Sequence, residues 1–290
     1  MATILVTGAN GKVSSETLRA LKDSGHKLIG LVRDKAKGAE LAAQGVELRV
    51  GDLDRLRTVE DAFTGVDTLF ILTPPGPLAA YQSSAALWAG RRAGVKHVLR
   101  MSAVGAAHDA PSLNGRVHAL SDAELERSGI AYTIIKPHFF TQNLLLAAKS
   151  IVEQGMLYWA FGDARQPIID VRDVADSAAA ILRDPARHAG KTYTLTSGKA
   201  VTLAEVASAI GDAVGKKVTY VPVPVGAMVE TMAGMGLDDF TQVSMRDYLT
   251  NYSNGWQSTP TPAVAEITGK APRTIQDFAR DFAGAFGGKK

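Results

Sequence analysis

The feature that most constrains this chain is the regular alternation of strand-like and helix-like segments through its first half. Short apolar runs alternate with segments whose apolar residues recur at helical spacing, and glycine ends most of the helical segments. This alternation predicts right-handed βαβ units, and therefore an α/β fold with a doubly wound parallel sheet. The predicted strands are Thr3–Thr7, Lys27–Val32, Val46–Val50, Asp67–Leu72, Val95–Met101 and Ala131–Ile135, and the predicted helices are Lys12–Ser24, Lys35–Ala43, Leu56–Phe63, Leu78–Ala93 and Arg116–Ser128.

The alternation breaks down after Pro137, where short apolar stretches mix with Gly and Pro. We therefore predict a first domain over residues 1–150 and a smaller C-terminal α/β lobe over residues 151–290, with some of its segments returning to the first sheet. Within the lobe, Thr192–Leu195 and Val218–Val221 are predicted strands. Thr202–Val214 is a predicted helix that begins with a capping box of Thr202 and Glu205.

Composition excludes several classes of protein. The 290 residues include no cysteine, so disulfides, thiolate catalysis and Cys-ligated metals are excluded, and no metal site is expected. Lys and Arg number 32 against 29 Asp and Glu, which argues against a nucleic-acid partner. The chain starts directly in an apolar strand, and no apolar run approaches the ~18 residues of a membrane span. We therefore expect a cytoplasmic protein with no membrane association.

A glycine-rich loop directly follows the first predicted strand, with the pattern G-x-x-G-x-x-S from Gly8 to Ser14. Gly8 permits a sharp turn, and Gly11 lets the backbone approach a pyrophosphate at the helix N-terminus. In this context the loop predicts a Rossmann-type dinucleotide site, although a plain strand-to-helix turn is the alternative. The expected pyrophosphate-binding residues are Gly8, Asn10, Gly11, Lys12 and Val13.

The end of the second predicted strand indicates which dinucleotide binds. An NAD site would place an acid there, whereas this chain has Val32 followed by Arg33, with Lys37 close behind. A guanidinium can pair with a 2′-phosphate, so the sequence favours NADP, with NADPH preferred over NADH. The alternative is a solvated basic loop, and Asp34 would repel the phosphate if it turned inward. Asp52, followed by Leu53, could accept from the adenine amino group or could cap the next helix.

Taken together, these motifs resemble the NmrA-like group of atypical short-chain dehydrogenases. The resemblance rests on 7-TGANG-11, 31-LVRD-34, 51-GDL-53, 128-SGIAYTIIKP-137, Phe139–Phe140 with Asn143, 169-IDVRDVA-175 and 190-GKTY-193. It implies a Rossmann fold and an oxidoreductase that passes a hydride from NAD(P)H to quinones, azo dyes or triphenylmethane dyes. The group also contains redox-sensing co-regulators, so a non-catalytic NADP(H) sensor is the alternative.

The expected catalytic chemistry lacks the usual proton relay. Ordinary short-chain dehydrogenases use a Tyr and a Lys on the helix after the fifth strand, where this chain has His118 and Asp122. Quinones and dyes accept hydride without a strong protein acid, so we expect a small aromatic acceptor. His118 could orient the acceptor or supply a proton near neutral pH, or it could be a surface residue paired with Asp122.

Three strand ends carry further candidate residues, in the crevice that binds ligands in this fold. Ser102 is a candidate catalytic and cofactor-binding residue, with a strand-end hydrogen bond as the alternative. Thr73 and Pro74 could border the cofactor or simply end the fourth strand. Lys136 could meet a negative ligand group or lie in solvent. We also expect a homodimer.

Overall fold

The computed structural model describes residues 1–288; Lys289 and Lys290, which end the predicted C-terminal lobe, lie outside the described residues. Seven of its strands form one sheet, in the order β3-β2-β1-β4-β5-β6-β8, and β7 and β9 form a second, parallel pair. The strands are β1 (Thr3–Val6), β2 (Lys27–Val32), β3 (Glu47–Val50), β4 (Thr68–Ile71), β5 (His97–Met101), β6 (Ala131–Pro137), β7 (Met156–Trp159), β8 (Lys191–Leu195) and β9 (Thr219–Pro222).

The helices follow the strands in chain order, with short 3₁₀ turns between them. The α-helices are α1 (Lys12–Ala20), α2 (Ala39–Ala43), α3 (Ala79–Ala93), α4 (Leu113–Glu126), α5 (Ala148–Gln154), α6 (Val171–Arg183), α7 (Leu203–Val214), α8 (Val225–Gly234), α9 (Asp239–Ser253), α10 (Ala263–Thr268) and α11 (Ile275–Asp281). The 3₁₀ turns are Lys35–Gly38, Leu56–Thr58, Asp61–Phe63, Thr141–Ala147, Pro185–His188 and Ala283–Phe286.

The large sheet confirms the predicted doubly wound architecture. The pairings between β1 and β2, β1 and β4, β2 and β3, β4 and β5, and β5 and β6 are all parallel. The order of the first six strands reverses direction between β1 and β4, as in the Rossmann fold. The central strands are apolar on both sides because helices cover both faces, and Leu5, Ile29, Leu69 and Val98 have no exposed surface.

Two compact units make up the described chain. Unit 1 consists of Met1–Ala110, Asn114–Pro137 and Val171–Thr194, and therefore holds the strands of the large sheet. Unit 2 consists of Pro111–Leu113, His138–Asp170 and the residues from Leu195 onward, and holds β7 and β9. The domain boundary predicted at residue 150 falls within the segment His138–Asp170.

Two predicted helices differ from the structure. Lys35–Ala43 is α-helical only over Ala39–Ala43, because Lys35–Gly38 forms a 3₁₀ turn. The second prediction, a helix over Leu56–Phe63, is wrong. Leu56–Phe63 forms two 3₁₀ turns separated by Val59 and Glu60. The Thr58 hydroxyl donates to the Arg55 carbonyl at 2.7 Å and accepts from the Asp52 amide at 2.8 Å. These bonds fix a turn whose geometry competes with a helix.

The structure tests two predictions for the helices after residue 150. The capping box at the start of α7 is confirmed, because the Thr202 hydroxyl accepts from Glu205 N and the Glu205 carboxylate accepts from Thr202 N. The sequence reading missed α6, which packs against α1 within unit 1 and places the Arg183 guanidinium on the Ala20 carbonyl at the end of α1. No helix among the described residues is long and apolar enough to cross a membrane.

Candidate active site

The loop between β1 and α1 has the geometry of a phosphate cradle. Gly8 has a φ of 56°, and the Gly11 amide donates to the Gly8 carbonyl at 2.8 Å, which closes the turn. Gly11 is the N-cap of α1, and the first turn of the helix contains no acidic residue. The free amides at this end of the helix, together with the helix dipole, favour an anion. A Cβ on Gly11 would lie 3.1 Å from the Gly8 carbonyl oxygen.

Two polar side chains that the sequence reading had not singled out as ligands hold this loop in place. Ser14, at the position of the third glycine of the usual pattern, is buried and donates to the Thr7 carbonyl at 3.0 Å. The Thr7 hydroxyl donates to the Leu72 carbonyl at 2.7 Å and accepts from the Leu72 amide at 2.8 Å. The ends of β1 and β4 are therefore joined next to Thr73, which is buried, while Pro74 is exposed.

The end of β2 carries exposed positive charge. Arg33 and Lys37 are both exposed, and Asn10 and Lys12 in the glycine loop are exposed as well. The Asp34 carboxylate accepts from the Ala36 amide at 2.9 Å, so it caps the turn Lys35–Gly38. This contact fixes the Asp34 carboxylate against the backbone of the turn.

Asp52 adopts a local role after β3. Its Oδ1 accepts from the Asp54 amide at 3.1 Å, which closes a local turn. The 3₁₀ turn that follows has Arg55 as its N-cap and no side-chain capping bond, so the capping role that the sequence left open for Asp52 is wrong. Asp52 and its neighbour Leu53 are half-buried, and Leu53 packs against the core of the sheet.

A buried polar cluster joins four elements of unit 1. Asp122 on α4 accepts from Ser102 Oγ at 2.8 Å, lies 3.3 Å from Lys136 Nζ, and pairs through its other oxygen with Arg100 Nη1. Arg100 also donates from Nε to Ser83 Oγ at 3.2 Å and contacts His118 Nδ1 through Nη2 at 3.3 Å. Arg100 and Ser102 are 2% exposed, Asp122 is 5% exposed and His118 is 9% exposed. The sheet thus brings together His118, Ser102 and Lys136 from distant parts of the sequence.

Two of the alternatives left open by the sequence are wrong. His118 is buried rather than on the surface, and Asp122 pairs with Arg100 rather than with His118. Lys136 is not a solvated strand end, because its Nζ donates to the Ala106 carbonyl at 3.0 Å and faces Asp122. Arg100 itself was missed, because a single arginine in an apolar strand gives no indication of its partners.

Burial sets the protonation state of His118. Burial first, and the nearby cations Arg100 and Lys136 second, lower the pKa of His118 from 6.5 to about 3. The ring is therefore neutral at physiological pH and cannot supply a proton as an imidazolium. Ser102 donates its hydroxyl proton to Asp122, so it has only lone pairs to offer to a ligand.

Unit 2 contains an aromatic cluster and a cavity, and Trp159 contributes to both. Phe139 packs edge-on against Trp159 and Phe161, and all three rings are buried. A cavity of about 470 Å³ lies between α5, β7 and α8 within this unit, and is lined mainly by apolar side chains with Tyr158 and Trp159 among them. Among residues 1–288, no group of three or more His, Cys, Asp or Glu side chains is arranged to hold a metal ion.

Known proteins resemble the chain along nearly its whole length. The sequence model of the NmrA-like family matches residues 1–268. An NAD(P)H azoreductase from Xenophilus azovorans is 36% identical over 284 residues, covering 98% of this chain and 99% of the relative.

Solved structures agree with this match. The NADPH-dependent quinone oxidoreductase from Escherichia coli, solved with NADPH, has a TM-score of 0.86 and 26% identity, covering 96% of this chain and 99% of that one. The triphenylmethane reductase from Citrobacter sp., solved with NADP(H), has a TM-score of 0.83 and 25% identity, covering 97% of this chain and 99% of that one.

Proposed function

Because this chain belongs to the NmrA-like family, we propose that it is an NAD(P)H-dependent reductase that transfers a hydride to quinone-like or dye-like aromatic acceptors. The names of its relatives, an azoreductase, a quinone oxidoreductase and a triphenylmethane reductase, support this class of acceptor. The observation that carries the proposal is the cluster around Asp122. That carboxylate holds Arg100, Ser102 and Lys136 where other short-chain dehydrogenases have a proton relay.

The residues of unit 1 fit a dinucleotide. The pyrophosphate would be held at the open N-terminus of α1. The residues around this end of the helix are Gly8, Asn10, Gly11, Lys12 and Val13. Arg33 and Lys37 would bind the 2′-phosphate, which favours NADPH over NADH. Asp52, Leu53, Thr73, Pro74, Ser102 and Lys136 remain proposed cofactor contacts because each lies at or just after the end of a strand of the sheet. The bound cofactor supplies the hydride from its nicotinamide ring.

The side chains near the acceptor then have limited tasks. His118 is neutral, so it can donate a hydrogen bond to the acceptor but cannot act as a strong acid. Ser102 can accept a hydrogen bond through its oxygen. The reduced acceptor therefore takes its proton from water, which suits quinones and dyes, whose reduced forms are delocalised or easily protonated.

A panel of acceptors tests the proposal. NADPH oxidation by the purified protein should depend on an added quinone, azo dye or triphenylmethane dye, while simple ketones and secondary alcohols should give no reaction. His118→Ala should lower kcat by roughly 10-fold to 100-fold, because the acceptor loses one hydrogen bond to its developing charge while water still supplies the proton. A larger loss, or turnover of ketones, would point instead to a carbonyl-type mechanism with an obligatory proton donor.

A cofactor sensor of the NmrA type is the second candidate, favoured by the missing Tyr and Lys. It predicts tight NADPH binding with no turnover of any acceptor in the panel. That outcome would replace the reductase proposal.

The assembly and surroundings of the protein also remain proposals. We propose that the protein is a homodimer, that it binds no nucleic acid, and that it is located in the cytoplasm. Exposed Tyr81 and Trp88 on α3 and Leu120 on α4 offer apolar surface for a second copy. Light scattering after size exclusion should give twice the mass of one chain, whereas a monomer at micromolar concentration would contradict the dimer.

A further inference from the structure

Arg100 directs an N–H of its guanidinium at the ring of His118. The contact runs from Nη2 to Nδ1 at 3.3 Å, and the guanidinium is held in place on its other sides by Asp122 and by Ser83. Its side chain is 2% exposed, so neither water nor another rotamer offers it an easy alternative. A guanidinium has only donors and does not lose its proton in proteins. His118 Nδ1 must therefore be the acceptor of this contact.

The consequence for the ring follows from its proton count. A neutral imidazole carries one proton, and if Nδ1 accepts, that proton lies on Nε2. Resting on the function proposed above, we propose that Arg100 is a positioning residue that fixes His118 as the neutral Nε2–H tautomer, so that the ring can only donate a hydrogen bond to the hydride acceptor. An acceptor oxygen or nitrogen that gains electron density would be stabilised by this N–H, as neutral imidazoles do in other oxidoreductive and isomerising sites.

The tautomer narrows the substrate class. Hydride addition to a quinone gives a hydroquinone anion, and addition to a triphenylmethane cation gives a neutral product, so neither needs a protein proton in the same step. The two electrons and the hydrogen come from the dihydronicotinamide, which becomes the oxidised nicotinamide, and the hydroquinone anion later takes a proton from water. A simple ketone would give a localised alkoxide, which a neutral imidazole stabilises poorly.

The charged groups around His118 all belong to unit 1. They are Arg100 on β5, Lys136 on β6 and Asp122 on its own helix α4. Both cations oppose protonation of the ring, and the Asp122 carboxylate is already engaged by Arg100, Ser102 and Lys136. If Arg100 were removed, Oδ1 of Asp122 would lose its partner, while Ser102 and Lys136 would still engage Oδ2. Oδ1 lies one helical turn from His118 and could then accept from Nδ1–H, which favours that tautomer.

The tautomer can be measured without turnover. Two-bond ¹H–¹⁵N spectra of the full chain without cofactor should show His118 as Nε2–H, with no titration between about pH 5 and 8. The chain has six histidines, and the spectrum of His118→Gln identifies the signals of this one. An Nδ1–H pattern, or titration in that range, would overturn the role of Arg100.

Two variants separate this contact from general damage to the cluster. In Arg100→Met, Nδ1 of His118 loses the donor that fixes it as an acceptor and can donate to Asp122, so the Nδ1–H tautomer should become populated. Burial still keeps the pKa of the ring below its ordinary value in this variant, so the readout is the tautomer and not a titration. In Asp122→Asn, the contact between Arg100 and His118 remains, so the Nε2–H tautomer should persist. An unchanged tautomer in Arg100→Met, or equal changes in both variants, contradicts the proposal. A protein with the expected tautomer that reduces no acceptor would overturn the proposed reductase function and leave the tautomer assignment intact.

Discussion

Arg33 follows the last residue of β2, and we propose that its exposed guanidinium binds the 2′-phosphate and so favours NADPH over NADH. The Asp34 carboxylate beside it caps the Ala36 amide. We expect Arg33→Ala to weaken NADPH binding by about 1–3 kcal/mol while leaving NADH binding unchanged, because one charge-assisted contact is lost. Calorimetric titration with both cofactors measures this.

Lys22→Ala provides the matched control for Arg33→Ala, since it removes an exposed cation just after the far end of α1. Its affinities for both cofactors should equal those of the unmodified protein. Equal loss of NADPH and NADH affinity in Arg33→Ala would mean that the side chain does not contact the 2′-phosphate.

The buried residues of the cluster around Asp122 differ in how far the sequence could reveal them. His118 and Ser102 could be named as candidates because a helix position and a strand end carry chemistry in this fold, and their roles stay predictions. Arg100 was not, because its three partners come from α3 and α4, far away in the chain. A sequence pattern predicts the face on which a residue lies, but it does not show which distant side chain satisfies a buried charge.

At the scale of elements, we propose that cofactor binding depends on the N-terminus of α1. In Gly11→Val, a Cβ 3.1 Å from the Gly8 carbonyl would push the loop out of its turn and crowd the pyrophosphate. We expect dinucleotide binding to be nearly abolished with the fold retained, as measured by calorimetry and circular dichroism. Gly226→Ala on α8 is the control, because a Cβ there meets nothing within 4 Å. Normal NADPH affinity in Gly11→Val would exclude the loop as the phosphate site.

The capping box of α7 gives a second prediction at this scale. Thr202→Ala removes the hydroxyl that accepts from Glu205 N at 3.2 Å, and with it one satisfied amide at the start of the helix. The free energy of unfolding should fall by about 1 kcal/mol in urea denaturation. Thr202→Ser keeps the hydroxyl and should restore most of that loss. A serine variant as unstable as the alanine variant would assign the effect to the lost methyl group instead.

Elements were predictable where local pattern and tertiary structure agree. The strands β1 to β6 are short apolar runs, and all six predicted ones are present within a few residues. Leu56–Phe63 has helical spacing but forms 3₁₀ turns, because the Thr58 hydroxyl bonds the backbone. The sequence analysis did not predict helix α6, although Val174, Ala178 and Ile181 are buried at helical spacing. This helix follows Pro137, after which strands and helices no longer alternate regularly.

At the scale of the whole molecule, the chain leaves unit 1 after Pro137 and returns to it for Val171–Thr194. The strand β8 lies beside β6 in the sheet although a segment of unit 2 separates them in sequence. Consecutive elements are usually neighbours in space, so the sequence pattern predicts a single domain boundary where the alternation of strands and helices ends. The possibility of returning segments could be stated from the sequence, but their bounds could not.

Buried histidines in both units couple the stability of the molecule to pH. Burial is the largest cause in each case, and it lowers the pKa of His97 from 6.5 to about 4 and the pKa of His118 and of His138 from 6.5 to about 3. The unfolded chain therefore binds protons at these rings as the pH falls through about 6.5, while the folded chain leaves them neutral until about pH 4. Folding stability must then decrease as the pH falls through this window.

We expect the free energy of unfolding to be nearly constant from pH 8 to 7 and to fall steeply between about pH 6 and 4.5, because each additional proton bound by the unfolded state adds a slope of about 1.4 kcal/mol per pH unit. With three such rings the slope approaches about 4 kcal/mol per pH unit. Urea denaturation followed by circular dichroism at a series of pH values measures it. His118→Gln should reduce the slope by about one proton, which is about 1.4 kcal/mol per pH unit. A stability that stays flat down to pH 4.5 would show that these rings titrate alike in the folded and unfolded chains.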